Sequence, residues 1–329
     1  MPTDKTDDFK IPSLKLNKIV EKELRIELLD YNATLTQTSV HALIDGASSY
    51  THTEELLREA RVIATIPTGL ETLWHLACIG ADEAWVSGWY VSISRISKIH
   101  PNTDDDVFTV CRLFPTGLSS TKEGELMYSD WHSRSIYVVR NEKTEKLITV
   151  PTGWFPDRLC CTRSGDILVS LSKKDHKKPQ KVICYQGQRV KLEVEKDEHG
   201  DLIFAAGSNS LYVAGNNNGD ICVSDANAQR VIVLDKTGRR VRFIYDGSPV
   251  TSRTLSFGPH HIVTDSLSQI IVAEPGVGCI HIIDQNGYFL RFVEKTNLSY
   301  INGLSIDSKK RLWIANGETK EVMIFQYLN

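Results

Sequence analysis

The sequence predicts an all-β chain, a six-bladed β-propeller whose last blade is closed by an N-terminal strand. Three observations lead there. The stretch "NGDICVSDANAQRVIVLDKTGR", Asn218 to Arg239, reads as two short apolar runs with polar turns around them. A hairpin of that size cannot stand alone in water. The pattern then recurs: Val86-Ser87, Tyr128-Ser129, Val169-Ser170, Val223-Ser224, Val272-Ala273 and Ile314-Ala315 centre six such runs, spaced 42, 41, 54, 49 and 42 residues apart. Each is followed, after a polar loop, by a second run: "ISRISKI", "SIYVVRN", "KVICYQG", "RVIVLDK", "CIHIIDQ" and "EVMIFQY". Units of about 40–50 residues with four short strands are the sequence pattern of propeller blades.

Residues 1–59 read as an N-terminal extension and linker. "LNKIVEKELRIELLDY" spaces Ile19 or Val20, Leu24 and Leu28 for at most one short helix. Asn32 to Thr53 is rich in Ser and Thr, a linker composition. The orphan strand "RVIATIP", Arg61 to Pro67, precedes the first blade, and the sixth blade ends without an outer strand. The two are expected to pair, which ties the termini together and removes two open edges. Residues 60–329 are therefore assigned to the propeller. In its fifth unit the four strands read "HHIVTDS", "QIIVAEP", "CIHIIDQ" and "YFLRFVE". The 54-residue gap is too short for another blade and is assigned to a long connection, "EKDEHGDLIFAAGSNS". A parallel α/β fold is rejected, because no amphipathic helix separates the strands. In "PGVGCIHII" a strand follows the glycines, so this is a hairpin turn and not a dinucleotide loop.

The bulk numbers fit that reading. The 329 residues are 41% apolar with a net charge of −3. Residues 1–59 hold 7 of the 38 basic and 11 of the 41 acidic residues, which leaves the propeller near neutrality. No apolar run approaches the ~20 residues a membrane helix needs. The polar, acidic N-terminus is not that of a signal peptide. The seven cysteines form no Cys-x-x-Cys pair, and most lie in apolar runs. They read as buried free thiols in a reducing compartment, so a cytoplasmic location is expected, and the sequons at Asn32 and Asn297 are expected to stay unmodified.

The repeats "GDICVSDANAQRVIVLDKTGRRVRFIYDG" and "QIIVAEPGVGCIHIIDQNGYFLRFV" resemble NHL repeats. "ARVIATIPTGLETLWHLACIGADEAWVSGW", "GWFPDRLCCTRSGDILVS" and "RLWIANGETKEVMIFQYL" are similar, more narrowly, to the C-terminal propeller of tripartite-motif (TRIM) proteins of molluscs and related invertebrates. The resemblance covers about residues 10–329. It implies an NHL-type propeller that selects partners or substrates in a ubiquitin-ligase context. The zinc modules of that family need close Cys/His clusters, which this chain lacks, so no enzyme activity, cofactor or metal is expected of it.

In a propeller, the second–third strand turns and the links between blades share one face, here called upper. Aromatic and basic residues gather in those segments: Trp89, Tyr90, Trp131, His132, Arg134, Trp154, Phe155, Arg158, Arg230, His260, His261 and Tyr300. Such residues make binding hot spots, although tryptophans there can equally pack between blades. "KKDHKKPQK" adds Lys173, Lys174, Lys177 and Lys178, either a phosphate grip or a solvated loop. A protein partner is the leading expectation, with single-stranded RNA second and a propeller lactonase or lyase third. Asp157 and Asn302 at the inner-strand entrances offer too few oxygens for an axial calcium site. His260 and His261, as strand neighbours, should point apart and not share an ion with His75. Asp104-Asp105-Asp106 reads as a solvated turn on the opposite face.

Overall fold

The computed structural model describes residues 55–88, 93–97, 115–141, 143–175, 178–248, 256–294, 298 and 300–329. Among them there is no helix, and so none long and apolar enough to cross a membrane. Compact units divide at residue 53, and Glu54 to Asn329 form the propeller. The helix expected around Leu24, the linker, Asp104-Asp105-Asp106 and both sequons lie outside the described residues.

The chain is a six-bladed β-propeller. Strand β1 is Leu56–Pro67. Blade 1 contains β2 (His75–Ile79), β3 (Glu83–Ser87) and β4 (Ile93–Ser97). Blade 2 contains β5 (Pro115–Ser120), β6 (Leu126–Asp130), β7 (Ser135–Arg140) and β8 (Lys143–Thr149). Blade 3 contains β9 (Phe155–Cys161), β10 (Ile167–Ser172), β11 (Lys181–Gln186) and β12 (Arg189–Val194). Blade 4 contains β13 (Tyr212–Gly215), β14 (Ile221–Asp225), β15 (Arg230–Leu234) and β16 (Val241–Tyr245). Blade 5 contains β17 (Ile262–Thr264), β18 (Ile270–Glu274), β19 (Cys279–Ile283) and β20 (Phe289–Glu294). Blade 6 contains β21 (Ile301–Ile306), β22 (Leu312–Asn316) and β23 (Glu321–Leu328), and β1 completes it in the order β1-β23-β22-β21.

All six sequence anchors fall in the second strand of their blade. The reason is packing. A second strand is covered by neighbouring blades on both faces, so it reads as a continuous buried run: β6, β14, β18 and β22 are buried at every position. Outer strands border solvent and alternate instead, as in "VRFIY" of β16. Among the described residues the core is correspondingly divided into six apolar clusters, one per junction between blades. The cluster of Ile66, Leu73, Val86, Trp313 and Ile324 joins blade 6 to blade 1 and closes the ring.

The closing strand is longer than its sequence pattern indicates. It starts at Leu56 opposite Leu328, and Asn329 N–H donates to Glu55 O. A register shift between Leu56 and Arg61 interrupts the alternation that marks a strand, which hides its first residues from a reading of the sequence. The long connection at 195–211 is not idle chain: Ile203, Phe204 and Leu211 fill the junction of blades 3 and 4. Inner strands approach closely around the axis. At Gly117 a Cβ would lie 2.9 Å from Asp157 O and from Leu159 Cδ2, so only glycine fits.

Candidate functional site

The inner strands β2, β5, β9, β13, β17 and β21 line an axial cavity of about 840 Å³. Its lining includes lower-face turn residues such as Lys122, Asn217 and Ser308, and on the upper side it ends at His75, Arg158, Tyr212 and His261. Arg158 is the centre of that upper end. Its Nη1 donates to Thr116 O and lies 3.1 Å from His75 Nδ1. Its Nη2 donates to Tyr212 Oη at 3.1 Å, and the guanidinium carbon lies 4.6 Å from the centre of the Tyr212 ring. Its buried Nε has no partner among the described residues. One cation therefore reaches three blades.

The imidazoles around it are held uncharged. His75 Nε2 lies 3.2 Å from Pro115 O, so that nitrogen donates and Nδ1 accepts from Arg158. Burial first, and then the Arg158 charge, hold His75 well below the usual histidine range. The same two causes, in the same order, act on His261 and, less strongly, on His260. The two histidines do not point apart. Both rings pack on Tyr212, with centroids at 5.6 Å for His260 and 4.3 Å for His261. His260 N–H donates to Ala273 O while Ala273 N–H donates to His261 O, so two residues oppose one. This bulge removes the alternation on which the sequence expectation rested.

The other upper-face residues separate into groups. Trp131 and Phe155, from blades 2 and 3, stack at 4.5 Å and 19°. His132 beside them is exposed, and Arg134 ends the same turn with a φ of 53°. Trp154 is core, only 9% exposed, with Lys173 Nζ and Lys181 Nζ at 4.5 and 4.3 Å from its ring. Lys174 and Lys178 are exposed. Arg230 is held by Ile203 O at 3.0 Å. Tyr300 is 64% exposed. Trp89, Tyr90 and Lys177 lie outside the described residues. Of the residues singled out by sequence, then, Arg158, His260 and His261 come together, Trp131 meets Phe155, and Lys173 packs on Trp154. Tyr212 and Thr116 were not singled out. Tyr212 opens the inner strand of its blade opposite Ser224, as His75 opens its own opposite Ser87, so alignment of the units points to it.

A second cluster was missed altogether. Glu274, Cys279 and His281 of blade 5 are 1%, 7% and 0% exposed. Glu274 Oε2 lies 2.8 Å from His281 Nε2 and 3.7 Å from Cys279 Sγ, and that sulfur is 3.5 Å from the same nitrogen. The other ring nitrogen, Nδ1, is 2.8 Å from Tyr245 Oη. Glu274 faces Cys279 across the hairpin, and His281 follows Cys279 on the same side of β19. The three lie within eight residues of sequence, and the pairing of β18 with β19 is what turns them to one side.

No protein-family profile matches the chain. It is 31% identical over 114 residues to Protein brain tumor of Drosophila melanogaster, a stretch of 34% of this chain and 11% of that protein. Among solved structures, a gluconolactonase of Xanthomonas campestris shares 14% identity at a TM-score of 0.61, over 83% of this chain and 91% of the other. A streptogramin B lyase shares 12% at 0.56, over 84% and 100%. The WD40 propeller domain of Doa1 shares 12% at 0.55, over 82% and 98%. At such identities the likeness is one of fold, and these relatives leave the chain where its geometry places it: a six-bladed β-propeller, with its repeats supporting the NHL type.

Proposed function

We propose that this chain is a recognition module without chemistry of its own, which takes a protein partner on its upper face and reads an acidic group of that partner with Arg158. The observation that carries this reading is the state of Arg158. Its described partners, Thr116 O, His75 and Tyr212, are all uncharged. A guanidinium fork is built to grip carboxylate or phosphate oxygens in pairs, and the neutral imidazoles around it leave its charge uncompensated. The Trp131–Phe155 stack supplies the rigid aromatic surface that binding hot spots use.

The resemblance to TRIM-type propellers supports a place in substrate selection for a ubiquitin ligase. Single-stranded RNA is the second reading, favoured by exposed Lys174 and Lys178 in the blade whose Lys173 packs on Trp154. A lactonase or lyase has only the shared fold of structural neighbours behind it, and fold alone does not carry function. A selection experiment separates the first two. The immobilised chain is offered a random peptide library and, in parallel, a random single-stranded RNA pool at two salt concentrations. Enrichment of peptides bearing an acidic residue or a free C-terminal carboxylate is expected. Saturable RNA binding tighter than about 10⁻⁴ M, with no peptide enriched, would overturn the protein reading.

A further inference from the structure

We propose that Glu274, Cys279 and His281 form a binding site for one zinc-class divalent ion inside blade 5. Three different donors, a thiolate sulfur, an imidazole nitrogen and a carboxylate oxygen, meet within 4.8 Å of one another. Their separations suit one ion. Zinc bonds of about 2.3 Å to sulfur and about 2.0–2.2 Å to nitrogen and oxygen give tetrahedral edges of roughly 3.3–3.6 Å. The sulfur lies 3.5 Å from Nε2 and 3.7 Å from Oε2. Only the 2.8 Å approach of Nε2 to Oε2 would open, by roughly 0.5 Å on the same zinc bond lengths.

The convergence on a single imidazole nitrogen is what distinguishes this arrangement from a catalytic triad. In a triad the acid and the nucleophile use opposite nitrogens of the ring. Here Cys279 and Glu274 both approach Nε2, and Tyr245 Oη takes Nδ1. A ligating histidine is held by its other nitrogen in just this way. The walls are aromatic: Phe257 and Phe292 pack on the ring at 5.2 and 4.8 Å. Glu274 Oε1 also accepts Gly258 N–H at 3.3 Å, which fixes the carboxylate.

The internal repeats supply a separate argument. In blades 2, 4 and 6 the residue that ends the second strand is a turn cap. Asp130 accepts the amides of His132 and Ser133, Asp225 that of Ala228, and Asn316 those of Glu318 and Thr319. In blade 5 the corresponding residue is Glu274, one methylene longer, and its carboxylate turns to His281 and Gly258. The positions facing it hold Ser135, Arg230 and Glu321 in blades 2, 4 and 6, and Cys279 in blade 5. The equivalents of His281 are Tyr137, Ile232 and Met323, so of these four blades only blade 5 places a carboxylate, a thiol and an imidazole at the three positions.

Charge favours the same ion. A thiolate and a carboxylate balance a divalent cation, so the loaded site is neutral and compatible with full burial. Sulfur and imidazole donors select a zinc-class ion over calcium or magnesium. On binding, the Cys279 S–H proton leaves to solvent. The imidazole proton moves from Nε2 to Nδ1, where it is donated to Tyr245 Oη. A water completes the four-coordinate shell.

The test uses the full chain, reduced and stripped with a chelator, then titrated with Co²⁺ and Zn²⁺. We expect about one ion per chain, a sulfur-to-cobalt charge-transfer band, tetrahedral d–d bands and release of about one proton per ion. Cys279→Ser should abolish the charge-transfer band. Glu274→Asp restores the turn cap of the other blades, so it should fold while losing tight binding. Tyr245→Phe should weaken affinity on the order of 10–100-fold. Absence of stoichiometric uptake by the wild type would overturn the site, as would a thiolate band that survives in Cys279→Ser. Metal content is read without any partner, so failure here would leave the recognition reading standing.

Discussion

Arg158 and its three histidines make the upper end of the axial cavity sensitive to acid. His75, His260 and His261 have folded pKa values below the ordinary 6.5. The unfolded chain therefore binds more protons than the folded one below that pH. Their contribution to stability is complete above about 6.5 and is lost as pH falls from there toward the lowered folded values, with a slope of at most ~1.4 kcal/mol per pH unit for each histidine. Urea unfolding at pH 7.5 and 5.5 should show the loss, and His75→Phe should flatten it; equal midpoints at both pH values would count against neutral imidazoles. A second residue, Trp313, is fully buried and its Nε1–H donates to Asp307 Oδ2 at 2.8 Å. Trp313→Phe leaves that carboxylate short of a donor and should cost ~1–3 kcal/mol, while Trp313→Ala adds a cavity and should cost ~3–5 kcal/mol. A Trp313→Phe variant as stable as the wild type would show that this hydrogen bond contributes nothing. Arg158 itself was legible as a basic residue in "GWFPDRLCC", but its neighbours were not. Tyr212 and His75 are 137 residues apart in sequence, and only closure of the ring brings them to one guanidinium.

Strands were the most legible elements, because a strand covered on both faces is buried throughout and centres on an apolar run, even where a polar residue such as Asp130 or Asp225 ends it. That is why Val86, Tyr128, Val169, Val223, Val272 and Ile314 mark six second strands without exception. Irregular pairings were the least legible. The shift near Arg61 concealed the start of β1, and the bulge at His260-His261 reversed the expected direction of one ring. The Glu274–Cys279 pair was hidden for a related reason: its residues are five apart and meet only through hairpin register. The closing strand gives an element-scale test. Removal of residues 1–54 should leave a cooperative unfolding transition, since β1 remains intact. Removal through Pro67 takes away the partner of β23 along its length and exposes the edge of that strand. It should lower the melting temperature severely or prevent folding, and equal melting temperatures for the two truncations would contradict closure by β1.

At the scale of the whole molecule, the ring does one thing that no blade can do alone: it brings six inner strands around one axis and sets a cation at the upper end of the cavity they enclose. With the propeller near neutral, the recognition proposed above rests on such a local arrangement and not on a broad electrostatic field. The lysines of the third blade provide the contrast. Rim charges of this kind change association rates more than they hold a complex together, so Lys173, Lys174, Lys177 and Lys178 changed together to Glu should slow capture of a peptide ligand while leaving its dissociation nearly unchanged. If RNA were the ligand, the same change should cut affinity and reduce the salt slope by ~0.7 for each phosphate no longer neutralised. The measurement that bears most directly on the central claim is a titration of an acidic peptide, enriched on the wild-type chain, against wild type and Arg158→Met under matched conditions. A charge-assisted pair contributes ~1.5–3 kcal/mol, so binding should weaken by roughly 10–100-fold in Arg158→Met, while a peptide with its acidic group amidated should bind both chains alike. Equal affinity of the acidic peptide for the two chains would contradict recognition by Arg158.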